Sequence, residues 1–256
     1  MDNKTIITLV VVIGALVLLG GGYLLYTNMS TDTQGNYSVN NDTNQNVNEQ
    51  NNQNQATGTL YVTITDAAAN MGSVSAVSMT VDKVEVYNNA QGWITVSSTP
   101  KTFNLLELKA KSQAMLVASA DVPVNSYNQI RVSASKILVT EAGKVKEAAM
   151  PSGQITFETN MVVYGNTNSV ARVDVLADKS LHKTKDGSFI FAPVITFDSS
   201  SNATVIVDTN NVVTVSGGAI NPTIHVGMNV GGEMKTNFQL DQSLELLING
   251  PVIELK

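Results

Sequence analysis

Apolar side chains recur at every second position from Gly58 onward, and this period of two constrains the fold more than any other feature. Leu60, Val62 and Ile64 alternate with polar neighbours, and similar short runs separated by turn residues follow. Such alternation is typical of β-strands with one buried and one exposed face. Short strands at regular spacing predict an all-β sandwich or barrel.

Several local patterns predict particular elements. The apolar positions change parity near Asp82-Lys83, which predicts a β-bulge there. Residues 88–92 read as a turn, and Glu141-Ala142-Gly143 reads as the turn of a β-hairpin. The segment from Phe103 to Lys111 is the one stretch after the N-terminal region that favours a helical turn or two.

Residues 199–256 also show a β pattern, so we expect a second sheet layer or a small additional domain there, with a C-terminal β-hairpin region. The turn-rich Asp208–Asn211 separates two valine-bearing strands. Around Gly231-Gly232-Glu233, a three-residue loop would pair Val230 with Met234 and Val226 with Phe238, all on one apolar face. Since the buried face decides strand register, the sequence predicts that loop.

The run from Ile6 to Tyr26 contains no charged residue and would span roughly 31 Å as a helix, which is the thickness of a bilayer core. Lys4 precedes it and the next basic residue is Lys83, so we expect the N-terminus in the cytoplasm and the bulk of the chain outside. A cleaved signal peptide with a site near Gly20 or Gly22 is the main alternative. A pilin-like assembly helix is a further alternative with a similar outline, but this sequence lacks the basic-Gly processing site that precedes such a helix.

Residues 28–57 are crowded with Asn and Gln and hold almost nothing apolar, so we expect a disordered tether. The predicted organisation is therefore a cytoplasmic stub and transmembrane anchor at 1–27, a linker at 28–57, a β-sandwich at 58–198 and a C-terminal β extension or small second β domain at 199–256. Four Asn residues that follow the predicted anchor match the N-glycosylation acceptor pattern: Asn28, Asn36, Asn41 and Asn202.

Composition excludes several classes of function. The net charge of −6 and the isoelectric point near 4.9 argue against nucleic acid as a partner. The absence of cysteine excludes disulfides, thiolate metal sites and a lipoprotein anchor. Stability must therefore come from the hydrophobic core.

The segment from Gly58 to Phe197 resembles the family called domain of unknown function 4382, found in secreted and membrane-attached proteins of bacteria and archaea. The order of the matching pieces carries the resemblance: GTLYVTITDA (58–67), VDKVEVY (81–87), GW (92–93), FNLLEL (103–108), VPVNSYNQIRV (122–132), RVDV (172–175) and SFIFAPVI (188–195). Ala68 and Asn125-Ser126 depart from the family pattern at turns. The resemblance implies a β-sandwich, expected to be antiparallel and of the Greek-key or prealbumin-like kind, and it brings no catalytic residues.

Candidate catalytic or metal-binding residues are few. They are the two histidines His182 and His225, the carboxylates Asp66, Asp174 and Asp198, and Arg172. Neither histidine has a neighbour at ligand spacing, so both are predicted to be surface or strand residues. We expect Asp66 to cap a turn, and Arg172 with Asp174 to form a surface charge pair. A paired-carboxylate hydrolase site or a Ca²⁺ site would need a convergence of these groups that sequence alone cannot show.

Carbohydrate binding would require exposed aromatic side chains, and Trp93 is the one tryptophan of the chain. As a tryptophan that follows Gly at the start of a strand, it is predicted to be a core residue, and the tyrosines are scattered in sequence. These observations favour a non-enzymatic cell-surface protein without a cofactor, anchored in a membrane by Ile6–Tyr26, that binds an envelope polymer or another protein. The alternatives are an extracytoplasmic hydrolase, a carbohydrate-binding module or a subunit of a surface assembly.

Overall fold

The computed structural model describes residues 55–67, 71–229 and 231–236. Contacts between Cα atoms divide the chain into Met1–Asn52 and Gln53–Lys256, and all the described residues belong to the second unit. The predicted anchor Ile6–Tyr26 and almost all of the predicted linker lie outside the described residues. In the part of the chain that is described, no helix is long and apolar enough to cross a membrane.

The described residues form strands joined by short turns, with two short helices. In chain order the strands are β1 (Thr57–Thr65), β2 (Val74–Asn88), β3 (Gly92–Ser97), β4 (Lys101–Asn104), β5 (Met115–Pro123), β6 (Asn125–Glu141), β7 (Lys144–Ala149), β8 (Gln154–Val163), β9 (Asn168–Val175), β10 (Leu181–Lys183), β11 (Phe189–Phe191), β12 (Val194–Val207), β13 (Val213–Ser216), β14 (Ala219–Ile220), β15 (Ile224–Met228) and β16 (Met234–Thr236). The helices are α1 (Leu105–Lys111) and α2 (Ala177–Ser180). Helix α1 confirms the prediction of a helical turn or two within Phe103–Lys111, whereas α2 was not predicted.

The strands form two sheets. Sheet I has the order β16-β15-β12-β9-β1-β5, and β13 and β14 also pair with β12. Sheet II has the order β10-β11-β7-β6-β2-β3, with β4 paired to β2 and β8 paired to β6. The prediction of an antiparallel fold was wrong at two places, since β1 and β9 pair in parallel, as do β7 and β11. These strands are distant in sequence and have no hairpin to enforce the antiparallel direction.

Two long strands, β2 and β6, form the centre of sheet II. Their pairing shifts register between Val81 and Lys83, which confirms the predicted bulge. Strand β6 then turns into β7 through Ala142 and Gly143, whose φ angles are 46° and 76°. Two consecutive positive φ angles define the tight hairpin turn that the sequence predicted.

One hydrophobic core joins the two sheets. Leu60 of sheet I and Ile130 of sheet II are completely buried in it. The rings of Phe157 in β8 and Phe197 in β12 meet edge to face across the sheets, with centroids 5.3 Å apart. The alternation of buried and exposed residues along β1 and β6 confirms the predicted period of two.

The segment after residue 198 continues sheet I. Strand β12 runs through residue 198 without interruption, and β13 to β16 pair within the same sheet. The hairpin of β12 and β13 places Val205 opposite Val215 and Val207 opposite Val213.

The predicted register of the β15–β16 hairpin was wrong by two residues. Val226 pairs with Thr236 and Met228 with Met234, whereas Phe238 lies outside the described residues. The cause is Asn229, whose backbone N–H donates to the Glu233 carbonyl and whose Oδ1 accepts the Glu233 N–H at 3.0 Å. This local closure moves the turn toward the N-terminus and keeps Val226, Met228 and Met234 on one face.

Candidate functional site

The outer face of sheet II carries a row of four side chains on four neighbouring strands. Trp93 of β3 lies opposite Tyr87 of β2. Tyr87 lies opposite Gln129 of β6, and Gln129 lies opposite Glu158 of β8. Because Tyr87 alternates with core residues such as Val86, the row faces away from sheet I. At about 4.8 Å between strands, this aromatic–polar row is roughly 14 Å long.

Trp93 is fixed at one end of the row by two neighbours. Its ring centroid is 5.3 Å from that of Tyr87, with an angle of 59° between the planes. The guanidinium carbon of Arg131 lies 3.7 Å from the Trp93 ring centroid, which is cation–π geometry. Trp93 is half-buried and lies outside the core, so the prediction of a core residue was wrong. The reason is register, because β3 turns Val96 toward the core and Trp93 away from it.

A buried carboxylate holds Arg131 in place. The Glu85 side chain is only 10% exposed. Its Oε1 accepts a hydrogen bond from Lys83 Nζ at 2.6 Å, and its Oε2 accepts one from Arg131 Nη1 at 3.4 Å. Loss of either cation would leave the buried Glu85 carboxylate with one ion pair instead of two, which costs free energy. The ion pair with Glu85 therefore restrains the Arg131 guanidinium that stacks on Trp93.

The other end of the row opens into a cleft of about 450 Å³, here called the polar cleft. Its lining is Asn128, Gln129, Glu158, Thr159, Asn160, Ile224 and Thr236. Among the residues that the structure describes, the side chains of Gln129 and Glu158 have no hydrogen-bond partner. An amide and a carboxylate are therefore available to a ligand in this cleft.

A second cleft of about 460 Å³ lies between α1 and the turn that joins β12 to β13. Glu107 and Lys111 pair at 2.5 Å along α1, and both are about half exposed. Asn104 precedes the helix without capping it, and its buried Oδ1 has no partner in the described part of the chain. Among the described residues that line this cleft, the aromatic side chain is Phe103, which is buried and therefore offers no platform comparable to Trp93.

The three carboxylates predicted as site candidates, Asp66, Asp174 and Asp198, accept hydrogen bonds from residues in or next to sheet I. Asp66 is 3% exposed, and its Oδ1 accepts the backbone N–H of Ala177 at 3.3 Å. It thus bonds a backbone N–H as predicted, but the donor lies at the start of α2 rather than in its own turn. Asp174 accepts the N–H of Ala67 at 2.9 Å. Burial raises the pKa of Asp174, and that hydrogen bond opposes the rise.

The prediction that Arg172 pairs with Asp174 was wrong, because Arg172 pairs with Asp198 instead. Strand pairing sets Asp198 of β12 directly opposite Arg172 of β9. Both Nε and Nη2 of Arg172 donate to Asp198 Oδ2, at 2.9 and 2.6 Å. The cross-strand neighbour is closer than the residue two positions along the same strand, so it captures the guanidinium.

The two histidines lie in different sheets, and both are strand residues as predicted. His182 of β10 is half-buried, and desolvation lowers its pKa. The Nδ1 atom of His225 in β15 is 3.3 Å from Thr196 Oγ1, and Asp174 lies opposite Thr196 on the other side. Within the described residues, no three His, Asp or Glu side chains converge in a way that could hold a metal ion.

Asn202, one of the predicted glycosylation acceptors, is exposed and adopts a positive φ of 54° where the register of β12 shifts. Asn28, Asn36 and Asn41 lie outside the described residues. The site residues that sequence reasoning missed are Arg131, Gln129 and Glu158. Each occupies a polar position within an alternating strand, so a knowledge of which strands pair would have been needed to group them with Trp93.

The fold and its outer face define a two-sheet β domain with a polar and aromatic surface on one sheet. The family model described as "Domain of unknown function (DUF4382)" matches residues 57–193, which is more than half of the chain. The chain therefore belongs to this family, as its motifs indicated. Comparisons with curated proteins and with solved structures return no match.

Proposed function

We propose that this protein is a membrane-tethered, extracytoplasmic binding protein without enzymatic activity. In this proposal, Ile6–Tyr26 spans the membrane once with the N-terminus in the cytoplasm. The Asn-rich residues 28–57 hold the β domain away from the bilayer. The uncharged apolar run and the placement of Lys4 before it support this topology. That the sandwich has a Greek-key or prealbumin-like topology remains a prediction.

The observation that carries the binding role is the half-buried Trp93 beside Tyr87 on the outer face of sheet II. Because this aromatic pair lies on the outer face of the sheet, it contributes less to the stability of the fold than a pair inside the hydrophobic core would. Its orientation is nevertheless fixed, by Arg131 and the buried Glu85. Rigid aromatic side chains beside unpaired polar groups are the usual composition of binding surfaces.

The arrangement of the carboxylates favours binding over hydrolysis. A glycoside hydrolase needs two carboxylates that face each other across a substrate cleft. Asp198 is held by Arg172, and Asp66 and Asp174 accept backbone N–H groups. The polar cleft is lined by one carboxylate, Glu158, among the described residues.

Topology and binding are tested on the full-length protein. Protease added to intact cells should cut within residues 28–57 and release a compact resistant fragment, whereas a fragment released only after lysis would contradict the outward topology.

Detergent-solubilised full-length protein should co-sediment with purified cell envelopes. Trp93→Ala should weaken this co-sedimentation, and Tyr164→Ala, which removes an aromatic side chain 46% exposed elsewhere, should not. Equal sedimentation of both variants would contradict the role of the outer face.

A further inference from the structure

We propose that the aromatic–polar row and the polar cleft bind an uncharged polysaccharide chain. This inference rests on the proposed function and names the ligand class of that same face. The row supplies an aromatic platform at one end, through Trp93 and Tyr87, and free hydrogen-bonding groups at the other, through Gln129 and Glu158.

The aromatic end matches the apolar face of a sugar ring. The axial C–H groups of a pyranose form a weakly positive, apolar surface, and the face of an aromatic ring is weakly negative. Trp93 and Tyr87 are both half-buried on the outer face of the sheet. The contact with Arg131 fixes the Trp93 ring before a ligand arrives, which lowers the entropy lost on binding.

The polar end matches sugar hydroxyls. A hydroxyl group both donates and accepts hydrogen bonds, and it therefore pairs with an amide or with a carboxylate. Gln129 and Glu158 are unpaired within residues 55–67, 71–229 and 231–236, and Asn128 and Asn160 line the same cleft. A ligand bearing several hydroxyl groups could satisfy these side chains together.

The shape of the face favours a polymer over a small molecule. The row crosses four strands and is roughly 14 Å long, so it is longer than a single sugar ring. It lies on the outer face of the sheet, where a polymer chain could contact the aromatic end and the polar end at once. A small ligand would leave either the aromatic end or the polar end uncontacted.

The charges of the face favour an uncharged ligand. The two cations Lys83 and Arg131 are balanced by the two carboxylates Glu85 and Glu158, and three of these four groups already pair with one another. Among these described residues beside the row, the positive and negative charges are therefore equal in number, and they leave no excess to attract a charged polymer. The net charge of −6 on the whole chain further opposes acidic polysaccharides.

The test is affinity electrophoresis of the detergent-solubilised full-length protein in native gels that contain one soluble polysaccharide each. The uncharged probes are dextran, hydroxyethyl cellulose and galactomannan, and the acidic probes are polygalacturonate and heparin. We expect retardation by at least one uncharged probe, with an affinity that is unchanged between about 0.05 and 0.5 M NaCl because no ion pair forms. Retardation by acidic probes alone, or by none, would overturn the inference.

Variants locate the binding site. Trp93→Ala should weaken the affinity for the retarding probe by about 10-fold or more, as expected for a central aromatic contact. Glu158→Gln keeps an acceptor for a sugar hydroxyl and should lose less affinity than Glu158→Ala, which should lose several-fold. Tyr164→Ala is the matched control and should bind as the parent does. If Glu158→Ala bound the retarding probe as tightly as the parent does, the polar end of the proposed site would be contradicted.

The two proposals fail in distinguishable ways. Envelope co-sedimentation that depends on Trp93, combined with no retardation by any uncharged probe, would overturn the polysaccharide while leaving a displayed binding protein in place. In that case, loss of sedimentation after protease treatment of the envelopes would identify a protein as the ligand. Absence of envelope binding would remove the proposed function itself.

Discussion

Replacing Gly58 with alanine should destabilise the folded domain, because β1 passes the β8–β9 turn too closely for any side chain. A Cβ atom on Gly58 would lie 2.1 Å from the carbonyl oxygen of Tyr164 and 2.8 Å from a methyl carbon of Val163. Cβ atoms essentially never approach other heavy atoms within 3.0 Å, so the strand or the turn would have to move by about 1 Å.

The cost follows from what such a movement disturbs. Two backbone hydrogen bonds flank the contact, from Thr59 N–H to the Thr167 carbonyl at 3.0 Å and from Asn166 N–H to the Thr57 carbonyl at 2.8 Å. Overpacking costs about 1–3 kcal/mol, and each weakened hydrogen bond about 0.5–1.5 kcal/mol. We therefore expect the free energy of unfolding to fall by about 2–6 kcal/mol, and Tm by about 4–24 °C for a domain of this size.

Thermal unfolding of the full-length protein, followed by circular dichroism, measures this effect. Gly153→Ala is the matched control, because a Cβ atom on Gly153 would meet only the Ala134 carbonyl oxygen, at 3.8 Å. Its Tm should lie within a few degrees of the parent. If Gly58→Ala unfolded at the same temperature as Gly153→Ala, the close approach of β1 to the turn would be refuted.

Three further predictions concern buried and ion-paired groups. Burial raises the pKa of Tyr127 to about 12 from its ordinary value of 10.0, so stability should fall as pH rises from 10 to 12, and Tyr127→Phe should abolish that fall in urea unfolding curves. The same variant leaves the Pro123 carbonyl without its 2.7 Å donor and should be about 1–2 kcal/mol less stable at pH 7. The hydrogen bond from a lysine ammonium holds the pKa of Glu141 below its ordinary value of 4.5. Glu141 therefore stabilises the fold above pH 4.5, and this stabilisation is lost as the pH falls. The Tm of Glu141→Gln should accordingly fall less steeply in acid than the Tm of the parent protein. Phe197→Ala, at a position only 1% exposed, should cost about 3–5 kcal/mol in urea unfolding, whereas Tyr164→Ala should cost less than about 0.5 kcal/mol.

Features fixed by neighbouring residues could be predicted from the sequence. The tight turn at Ala142-Gly143 requires two positive φ angles, which few residue pairs adopt, and it formed where predicted. The bulge near Asp82 follows from the change in apolar parity, because a strand cannot turn both sets of residues to one face without an extra residue.

The register of the β15–β16 hairpin shows where this reasoning ends. The apolar face permits any shift by two residues, since such a shift preserves which side chains are buried. Hydrophobicity therefore fixed the parity of the pairing but could not choose between registers that share parity. Side-chain and backbone hydrogen bonds between Asn229 and Glu233 made the choice. An Asn two residues before a Gly-Gly pair was the available signal.

The candidate site was hidden from the sequence for a different reason. Trp93 and Glu158 are separated by much of the domain in sequence, and they share a row only because β2 and β6 pair along most of their length between them. Strand order is a global property, set when the residues of many strands are buried in one core, so no local pattern predicts it. Once β2 and β6 are central, however, the outward position of Tyr87 follows from the burial of Val86 beside it. The residues that stabilise the core thereby also place the residues proposed to bind the ligand, and a substitution that slipped the β2–β6 register by one residue would destroy both at once.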